Sequence, residues 1–327
     1  MDGIAKWSNS ERAELFAESA AQLGMTPAVV EKDFWVCWAL GKLFQSDVLS
    51  RKILFKGGTS LSKVFNLIER FSEDIDLVLD WKVVTTENPL EERTRTQQDR
   101  FNKELTEATQ EYVRKTFLPE VRRLTAGICD ARISKDSSHV IEITYPSMFR
   151  ETYLRSLICL EIGPLASWLP NSVYGITSYA AEQFPKKFLA GSCKVNAIRA
   201  ERTFWEKATI LHAEAHRPAK SPQPSRYSRH YYDLARMADA KVRSEALSDL
   251  ELLHDVVTFK DKFYHQAWAG YDLAYPGTFR LSPPKHLLNT LRKDYQDMKI
   301  MIFGEALSFE EILVKIAELE GEINALE

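Results

Sequence analysis

One stretch, residues 52–79, constrains the fold of this 327-residue chain more than any other. Residues 52–56 predict a short strand, a double glycine predicts a turn, residues 59–69 have the apolar spacing of a helix, and residues 75–79 predict a second strand. Glycines let backbone N–H groups approach a ligand closely, and the start of a helix attracts anions. The pattern therefore predicts an α+β unit with an anion-binding turn.

The glycine turn supplies the first group of candidate site residues. A lysine precedes the two glycines, and two hydroxyl side chains follow them. Backbone N–H groups, hydroxyls and a positive charge are the groups that bind phosphates, so the turn is a candidate triphosphate cradle. The predicted nucleotide-binding residues are Lys56, Gly57, Gly58, Thr59 and Ser60.

Two aspartates on the second predicted strand form the second group. Asp74 and Asp76 are two residues apart, so their side chains project from the same face of a strand, with Cα atoms roughly 6–7 Å apart. Carboxylates this close repel each other unless a cation lies between them. A pair of divalent metals would hold a triphosphate there and polarise an attacking hydroxyl. The alternative is a solvated strand edge that carries two acids.

Composition and cysteine placement exclude several other classes. The chain is 45% hydrophobic and 27% charged, which indicates a folded globular protein rather than a disordered one. Its longest apolar stretch, residues 34–44, is too short to span a bilayer. Residues 1–6 lack the apolar region of a secretory signal, so we expect a cytoplasmic location. The cysteines form no C-x-x-C pair, which favours buried, reduced thiols over a zinc site or a disulfide framework.

The predicted elements divide the chain into an α+β half, residues 1–195, and a helical half, residues 196–327. The first half has predicted helices at 27–45 and 97–117 and three further strands, at 128–134, 139–145 and 157–163. The second half begins with a helix over 198–216 and ends with an amphipathic helix whose capping box starts at Ser308.

Positive charge is concentrated around the junction of these halves. Residues 186–236 contain 11 Lys and Arg against 4 Asp and Glu, a balance of +7, although the whole chain has a formal net charge of −3. Such a segment attracts phosphates. The bland alternative is a solvated helix face that is basic. Within the segment, a loop rich in Pro and Ser is flanked by Arg217, Lys220, Arg226 and Arg229.

Patterns of other enzyme classes are rejected. His212 and His216 are four residues apart, as in zinc proteases, but the glutamate between them is misplaced for that chemistry. We therefore expect an ordinary surface helix there. The sequence contains no G-x-S-x-G elbow and no G-x-x-x-x-G-K-[ST] loop, which disfavours serine hydrolases and P-loop enzymes.

The sequence resembles the AbiEii/AbiGii toxin family of nucleotidyltransferases. The likeness is strongest over residues 54–80, where F-K-G-G-T-S-L-S-K and R-F-S-E-D-I-D-L match the family pattern nearly letter for letter. One departure is Gly57-Gly58, where many transferases of this fold carry Gly-Ser. The resemblance implies a nucleotidyltransferase-fold mixed sheet with flanking helices and a helical C-terminal half. Outside that stretch it rests on Glu31–Trp35, Arg202–Lys207, Arg229–Leu234, Asp294–Met298 and Met301–Gly304.

The resemblance also implies roles for the acidic residues. Asp74 and Asp76 match the family's metal-binding carboxylates, and Mg²⁺, as two ions, is the implied cofactor. A third carboxylate is expected on a neighbouring strand. Glu161 is preferred and Glu142 is the alternative, because both lie in β-rich runs where a buried acid needs a partner.

Two residues of the helical half complete the implied site. Lys207 matches the family's later lysine, and its ammonium is suited to neutralising triphosphate charge. Asp233 matches a later aspartate that lies at the same site in this family, and it is expected to position Lys207 or the acceptor. Lys56 and Arg70 flank the core as phosphate contacts or as structural contacts.

The implied activity is transfer of a nucleoside monophosphate from an NTP to an acceptor hydroxyl, in a toxin–antitoxin or phage-defence system with a cognate antitoxin. The resemblance points to RNA, such as a tRNA 3′ end, as the acceptor, with Arg226 and Arg229 as candidate contacts. Two alternatives stay open. One is nucleotidylation of a small molecule or a protein, and the other is a non-catalytic protein that binds nucleotide and an antitoxin.

Overall fold

A computed structural model describes residues 1–72, 74–151, 154–164 and 167–326 of the chain. It contains two compact units. The first, called the sheet unit, comprises Met1–Val64 and Phe71–Ile198, and the second, called the helical unit, comprises Phe65–Arg70 and Arg199–Glu327. None of the helices in the described ranges combines the length and the hydropathy that a bilayer crossing requires.

The described part of the sheet unit is built on a seven-stranded mixed sheet with the strand order β3-β4-β5-β2-β1-β7-β6. β1 is antiparallel to β2 and parallel to β7, and β2 is parallel to β5. The predicted α+β architecture is confirmed. The strands are Ile53–Lys56 (β1), Asp74–Leu79 (β2), Asp130–Ile133 (β3), Val140–Thr144 (β4), Leu157–Gly163 (β5), Asn171–Thr177 (β6) and Ser192–Ile198 (β7).

Helices flank the sheet. Those of the sheet unit are Asp2–Ala5 (α1), Asn9–Leu23 (α2), Pro27–Gln45 (α3), Gly57–Lys63 (α4), Arg95–Tyr112 (α5), Leu118–Thr125 (α6) and Tyr179–Gln183 (α7). A π-helical turn, Val113–Phe117, joins α5 to α6, and two 3₁₀ turns lie at Trp81–Val83 and Pro185–Lys187. The helix predicted over 27–45 is confirmed and is mostly buried, with Thr26 as its N-cap and Pro27 in its first turn.

The two faces of the sheet differ because side chains alternate along each strand. On one face, residues such as Ile75, Leu77 and Leu160 pack with Phe34 and Trp35 of α3 in a large apolar core. The other face of β2 carries Asp74, Asp76 and Val78, and Val78 belongs to a separate small cluster with Leu54 and Ile198. The sheet therefore separates an apolar core from a face that carries acids.

Two predictions about local structure are wrong. The glycine turn is not a separate element, because Gly57 and Gly58 lie in the first turn of α4, which keeps the name glycine turn. The helix expected over 59–69 ends at Lys63. The strands β6 and β7 were not predicted at all. β7 pairs directly with β1, so a central strand of the sheet was missed.

The helical unit consists, in its described residues, of α-helices and short 3₁₀ turns. Its last helix begins after the capping box of Ser308 and Glu311, as predicted, and its apolar stripe is buried. The helices are Ala200–Ala215 (α8), Ser228–Ala238 (α9), Val242–Leu247 (α10), Leu250–Phe263 (α11), Leu288–Met298 (α12) and Phe309–Asn324 (α13), with 3₁₀ turns at Tyr271–Leu273, Lys285–Leu287 and Lys299–Met301.

Candidate active site

The acidic face of the sheet brings several predicted residues together. Asp76 lies opposite Lys56 on β1 and opposite Glu161 on β5, and Asp74 lies opposite Cys159 on β5. Directly opposed residues on neighbouring strands share a face of the sheet and have Cβ atoms about 5 Å apart. The strand register therefore places two aspartates, a lysine and a glutamate at neighbouring positions on one face of the sheet, near the end of β1 where α4 begins.

Gly57 makes close contact with this acidic group. Its φ of +79° lies in the region that glycine adopts without strain. A Cβ built on Gly57 would lie 1.8 Å from Oδ2 of Asp76, far inside van der Waals contact. The Asp76 carboxylate thus lies directly against the backbone of the turn. Glycine is needed here for its conformation and for the space it leaves.

The hydroxyls of the turn have local partners. Thr59 and Ser60 are 2% and 0% exposed. The Thr59 hydroxyl donates to the main-chain oxygen of Asp74, and the Ser60 hydroxyl donates to the oxygen of Gly57 over 2.8 Å. The Thr59 bond ties the first turn of α4 to the start of β2. These hydroxyls brace the turn, and the groups that it has for an anion are the first N–H groups of α4.

The two candidates for a third carboxylate lie in different surroundings. Glu142, 8% exposed, accepts hydrogen bonds from Arg132 Nε at 2.8 Å and Ser134 Oγ at 2.9 Å. The hydrogen bond from Arg132, and after it the one from Ser134, lowers the pKa of the Glu142 carboxyl. Because β5 separates β4 from β2, Glu142 is one strand farther from Asp76 than Glu161 is. Glu161 is exposed and directly opposite Asp76, so the register favours it.

The donor set fits a hard divalent cation. No three His, Cys, Asp or Glu side chains within the described ranges are gathered closely enough to form a metal cage. Mg²⁺, however, is commonly bound through one or two carboxylates together with substrate phosphates and water, rather than in a cage made by the protein alone. Asp74 and Asp76, on one face of β2 with the turn beside them, supply this kind of donor set.

A second cluster lies in the helical unit. Asp233 on α9 is completely buried. Its carboxylate accepts a two-pronged bond from Arg70, with Nε 2.6 Å from Oδ1 and Nη2 2.8 Å from Oδ2. The Lys207 ammonium on α8 lies 2.8 Å from the same Oδ2 and 3.4 Å from Nδ1 of His230. The structure thus brings Lys207 and Asp233 together, as expected, and adds Arg70 to them.

Burial and charge oppose each other in this cluster. Burial disfavours the charged form of Asp233, but Arg70 and Lys207 outweigh it and hold the pKa of Asp233 well below its ordinary value. Burial also lowers the pKa of Lys207, against the attraction of Asp233 and with added repulsion from Arg70 and Arg229. Burial and the nearby cations Lys207 and Arg229 lower the pKa of His230 well below its ordinary value, which favours the neutral form of the imidazole.

The candidate acceptor contacts lie at the start of α9. Arg226 is exposed and Arg229 is half-buried. The carboxylate of Asp294 on α12 accepts hydrogen bonds from the backbone N–H groups of Arg226 and Ser228, at 2.6 and 2.8 Å. Arg226 also has a positive φ of 65°. Asp294 therefore fixes the backbone on which these arginines stand.

The basic segment of residues 186–236 is less uniform than its charge count indicated. It continues from the sheet unit into the helical unit after Ile198. Arg217 is not a free loop cation, because it forms two 2.7 Å bonds to Glu214 and stacks on Trp268. Charge pairing thus reduces the local excess that is open to a ligand.

The acidic residues of the Glu31–Trp35 motif have structural partners that the sequence did not reveal. Asp33 on α3 is 2.8 Å from Lys63, the last residue of α4, and accepts a 2.7 Å bond from the Tyr179 N–H at the start of α7. The Lys63 ammonium also lies 3.7 Å from the centre of the Tyr179 ring. Glu31 accepts bonds from the Met148 and Phe149 backbone N–H groups. An acidic residue buried in an apolar helix needs such a partner. The acids within this apolar helix were therefore the sequence signal that could have predicted these contacts.

A glycine turn beside two strand carboxylates on a mixed sheet is typical of nucleotidyltransferases, and comparison with known proteins agrees. The sequence matches a family described as "Nucleotidyl transferase AbiEii toxin, Type IV TA system" over residues 38–315. The chain belongs to this family of nucleotidyltransferase toxins, and it is therefore a transferase.

A solved structure has the same fold. The chain resembles the nucleotidyltransferase toxin MenT4 of Mycobacterium tuberculosis H37Rv with a TM-score of 0.54 and 16% identity, over 96% of this chain and 90% of that one. A protein from H. pylori described as a candidate nucleotidyltransferase matches with a TM-score of 0.39 and 15% identity, over 91% and 96%. A search of curated proteins gave no significant match. The MenT4 likeness confirms the predicted nucleotidyltransferase fold.

Proposed function

We propose that this protein transfers a nucleoside monophosphate from an NTP to a hydroxyl of RNA, with a tRNA 3′ end as the acceptor, in a Mg²⁺-dependent reaction in the cytoplasm. The observation that carries the proposal is the contact between Gly57 and Asp76. This contact supports the proposal because the turn that we propose as the phosphate-binding element lies against a carboxylate that shares its strand face with Asp74.

The sheet unit would bind the reacting end of the nucleotide. The N–H groups at the start of α4, at Gly57 and Gly58, receive phosphate oxygens while Thr59 and Ser60 brace the turn from below. Lys56 adds positive charge on the neighbouring strand. In the reaction, the acceptor oxygen bonds to the α-phosphorus, the bond from that phosphorus to the β-phosphate oxygen breaks to release pyrophosphate, and the hydroxyl proton passes to water.

The acids of this face would hold the metal. Asp74 and Asp76 are the proposed ligands, and Glu161 is the proposed third carboxylate. Two Mg²⁺ ions held there would neutralise triphosphate charge and make the acceptor hydroxyl more acidic.

The helical unit would supply charge and acceptor contacts. Lys207 neutralises phosphate charge and Asp233 orients it. Arg226 and Arg229 contact phosphates of the RNA. Membership of a toxin family supports a cognate antitoxin as the protein partner and a role in phage defence.

Label transfer tests the activity. The protein is incubated with Mg²⁺, each α-³²P NTP in turn and total RNA, beside the variant Asp74→Ala/Asp76→Ala and a sample with EDTA. Labelled RNA with the wild type alone supports the proposal and gives the base preference and the acceptor size. Label on protein or on small molecules, with none on RNA, supports the other enzymatic reading. Nucleotide binding without any transfer supports a non-catalytic protein.

A matched pair of variants tests the third carboxylate. Glu161→Gln removes a charge directly opposite Asp76, whereas Glu142→Gln removes a charge from the same face one strand farther away. We expect Glu161→Gln to lower transfer and to raise the Mg²⁺ concentration needed for half-maximal rate. Glu142→Gln should leave both unchanged and cost about 1 kcal/mol of stability through its lost bonds. The reverse pattern assigns the role to Glu142.

A further inference from the structure

Arg70 occupies an unusual place in the chain. It lies between the glycine turn and Asp74 in sequence, yet the segment Phe65–Arg70 belongs to the helical unit. Arg70 is 5% exposed, and its guanidinium is directed at the Asp233 carboxylate. A side chain that connects two sequence motifs in this way has a role to be explained, and the motifs alone did not assign one.

The segment is held in place by its backbone as well. Arg70 forms an isolated antiparallel bridge with Ile302, and the Phe303 N–H donates to the oxygen of Glu69 over 2.9 Å. Gly304 has a φ of +94°, and a Cβ there would lie 3.1 Å from Oε2 of Glu69. The Met301–Gly304 motif near the C-terminus is therefore used to fix the backbone from which Arg70 reaches Asp233.

The Arg70 contact sets both the orientation and the charge of Asp233. A guanidinium bound through two parallel hydrogen bonds fixes the plane of a carboxylate, which a single contact does not do. Oδ2 of Asp233 then serves two cations, Arg70 at 2.8 Å and Lys207 at 2.8 Å. A carboxylate shared in this way neutralises each cation only in part. Without Arg70, the whole charge of Asp233 would act on Lys207.

We propose that Arg70 is a positioning residue for nucleotide transfer. It holds Asp233 in one orientation and takes up part of its negative charge, so that the Lys207 ammonium stays in a fixed place and is neutralised only in part before a triphosphate binds. The proposal rests on the proposed function for the role of Lys207, but the contact itself has a readout that needs no nucleotide.

The first measurement is the reactivity of Lys207 towards acetic anhydride, followed by peptide mass spectrometry as a function of pH without substrate. The charged groups that face the ammonium are Arg70, Asp233 and Arg229, and the titratable His230 imidazole lies beside it. Arg70→Gln removes a repelling cation and leaves Asp233 to Lys207, so the midpoint of the Lys207 titration should move to higher pH. Arg70→Lys keeps the charge and should leave the midpoint near that of the wild type.

The second measurement is steady-state transfer with Mg²⁺ and the NTP that the wild type prefers. Arg70→Gln should raise KM for the NTP and lower kcat/KM on the order of 10–100-fold, by analogy with the loss of a residue that orients a metal ligand. Arg70→Lys loses the two-pronged bond and should also lower kcat/KM. The matched control is Arg236→Gln, which breaks a 2.8 Å pair between α9 and Glu69 of the same segment without touching Asp233. It should change neither readout.

The outcomes separate the two proposals. A Lys207 titration that responds to Arg70→Gln, in a wild type that transfers no nucleotide, overturns the proposed function and upholds the positioning contact. If the wild type transfers nucleotide normally and Arg70→Gln leaves the Lys207 titration unchanged, only the positioning role is overturned. If Arg70→Gln does not fold by circular dichroism, Arg70→Lys decides, because wild-type kcat/KM in that variant overturns the orientation argument.

Discussion

At position 57 a side chain would compete with the Asp76 carboxylate for the same space. Gly57→Ala places a Cβ where Oδ2 of Asp76 lies, and it also imposes a positive φ of 79° on alanine. We expect a stability cost of about 1–2 kcal/mol from the backbone. The displaced carboxylate should reduce nucleotide transfer by at least about 100-fold.

Gly127→Ala is the matched control for this variant. Gly127 has a φ of +77°, nearly that of Gly57, but no atom lies within 4 Å of the Cβ position. It should lose similar stability in urea denaturation and keep full transfer activity. Equal activity losses in the two variants would show that backbone strain, rather than the contact with Asp76, is the cause.

His212 shows how a residue pattern that looks like a metal site is used in the core. It is completely buried rather than on the surface, so the expectation of a surface helix was wrong. Its Nε2 donates to the Gly270 oxygen at 2.8 Å, and its Nδ1 accepts the Arg280 N–H at 3.0 Å. Both ring nitrogens of a neutral imidazole are thereby satisfied. Burial lowers the pKa of His212 to about 4.

This depressed pKa makes stability depend on pH. Because the unfolded chain binds the proton near pH 6.5, the stabilisation by neutral His212 is complete above that value and is lost as pH falls towards 4. The expected loss between pH 7.5 and pH 5 is about 2 kcal/mol. Urea denaturation at both pH values measures it, as the difference between wild type and His212→Gln. Identical pH dependence in the two proteins would contradict the argument.

At the scale of elements, the placement of α4 depends on a buried ion pair at its end. The side chains of Asp33 and Lys63 are 1% and 6% exposed and lie 2.8 Å apart. Lys63→Met leaves the Asp33 carboxylate buried without its cation, which should cost about 3–5 kcal/mol. Asp33→Asn/Lys63→Met should recover much of that loss, since no charge remains to be buried. Denaturation of both single variants and the double variant gives the coupling energy.

A surface pair in the same unit provides the comparison. Lys42 lies 2.7 Å from Asp2, but their side chains are 23% and 58% exposed. Lys42→Met should cost less than about 1 kcal/mol, because water solvates the remaining charge. If Lys63→Met costs no more than Lys42→Met, the ion pair does not anchor α4.

Local sequence patterns predicted most of the helices and strands. The features that were missed include β6, β7 and the end of α4. β7 had a readable signal, because Cys193, Val195 and Ala197 alternate with polar residues and all three face the core. β6 had none, because it lies at the edge of the sheet, where Val173 is 64% exposed. The end of α4 at Lys63 could not be predicted from the sequence either. The apolar residues of 65–70 have the spacing of a helix. The segment nevertheless leaves α4 and packs in the helical unit, with residues that are more than 100 positions away in sequence.

In the candidate site, too, contacts between neighbouring elements were easier to predict than contacts between residues far apart in sequence. The pairing of Asp76 with Glu161 follows from adjacent strands, and their residue types could be chosen from sequence. The Arg70 bond to Asp233 spans 163 positions, and no local pattern distinguishes it from a phosphate contact. The sequence therefore indicated which residues are candidates for the chemistry, and the structure was needed to show which residues hold those candidates in place.

At the scale of the whole molecule, the two units carry different parts of the proposed chemistry. The strand carboxylates and the glycine turn lie in the sheet unit, while Lys207, Asp233 and the candidate acceptor arginines lie in the helical unit. Binding of an RNA acceptor by the helical unit would be electrostatic in large part, because phosphates are neutralised by Lys and Arg with release of counterions. Salt dependence therefore measures the number of such contacts.

Arg226→Gln/Arg229→Gln tests that number directly. If both arginines contact phosphates, the slope of log K against log salt should become shallower by about 1.4, at about 0.7 per contact with a single strand. Binding of labelled tRNA measured by fluorescence anisotropy over a range of KCl gives the slope. The control Arg243→Gln changes an exposed arginine paired with Glu322 in the same unit and should leave the slope unchanged. A slope unaffected by the double variant would place the acceptor elsewhere, because removing a cation that contacts a phosphate cannot leave counterion release the same.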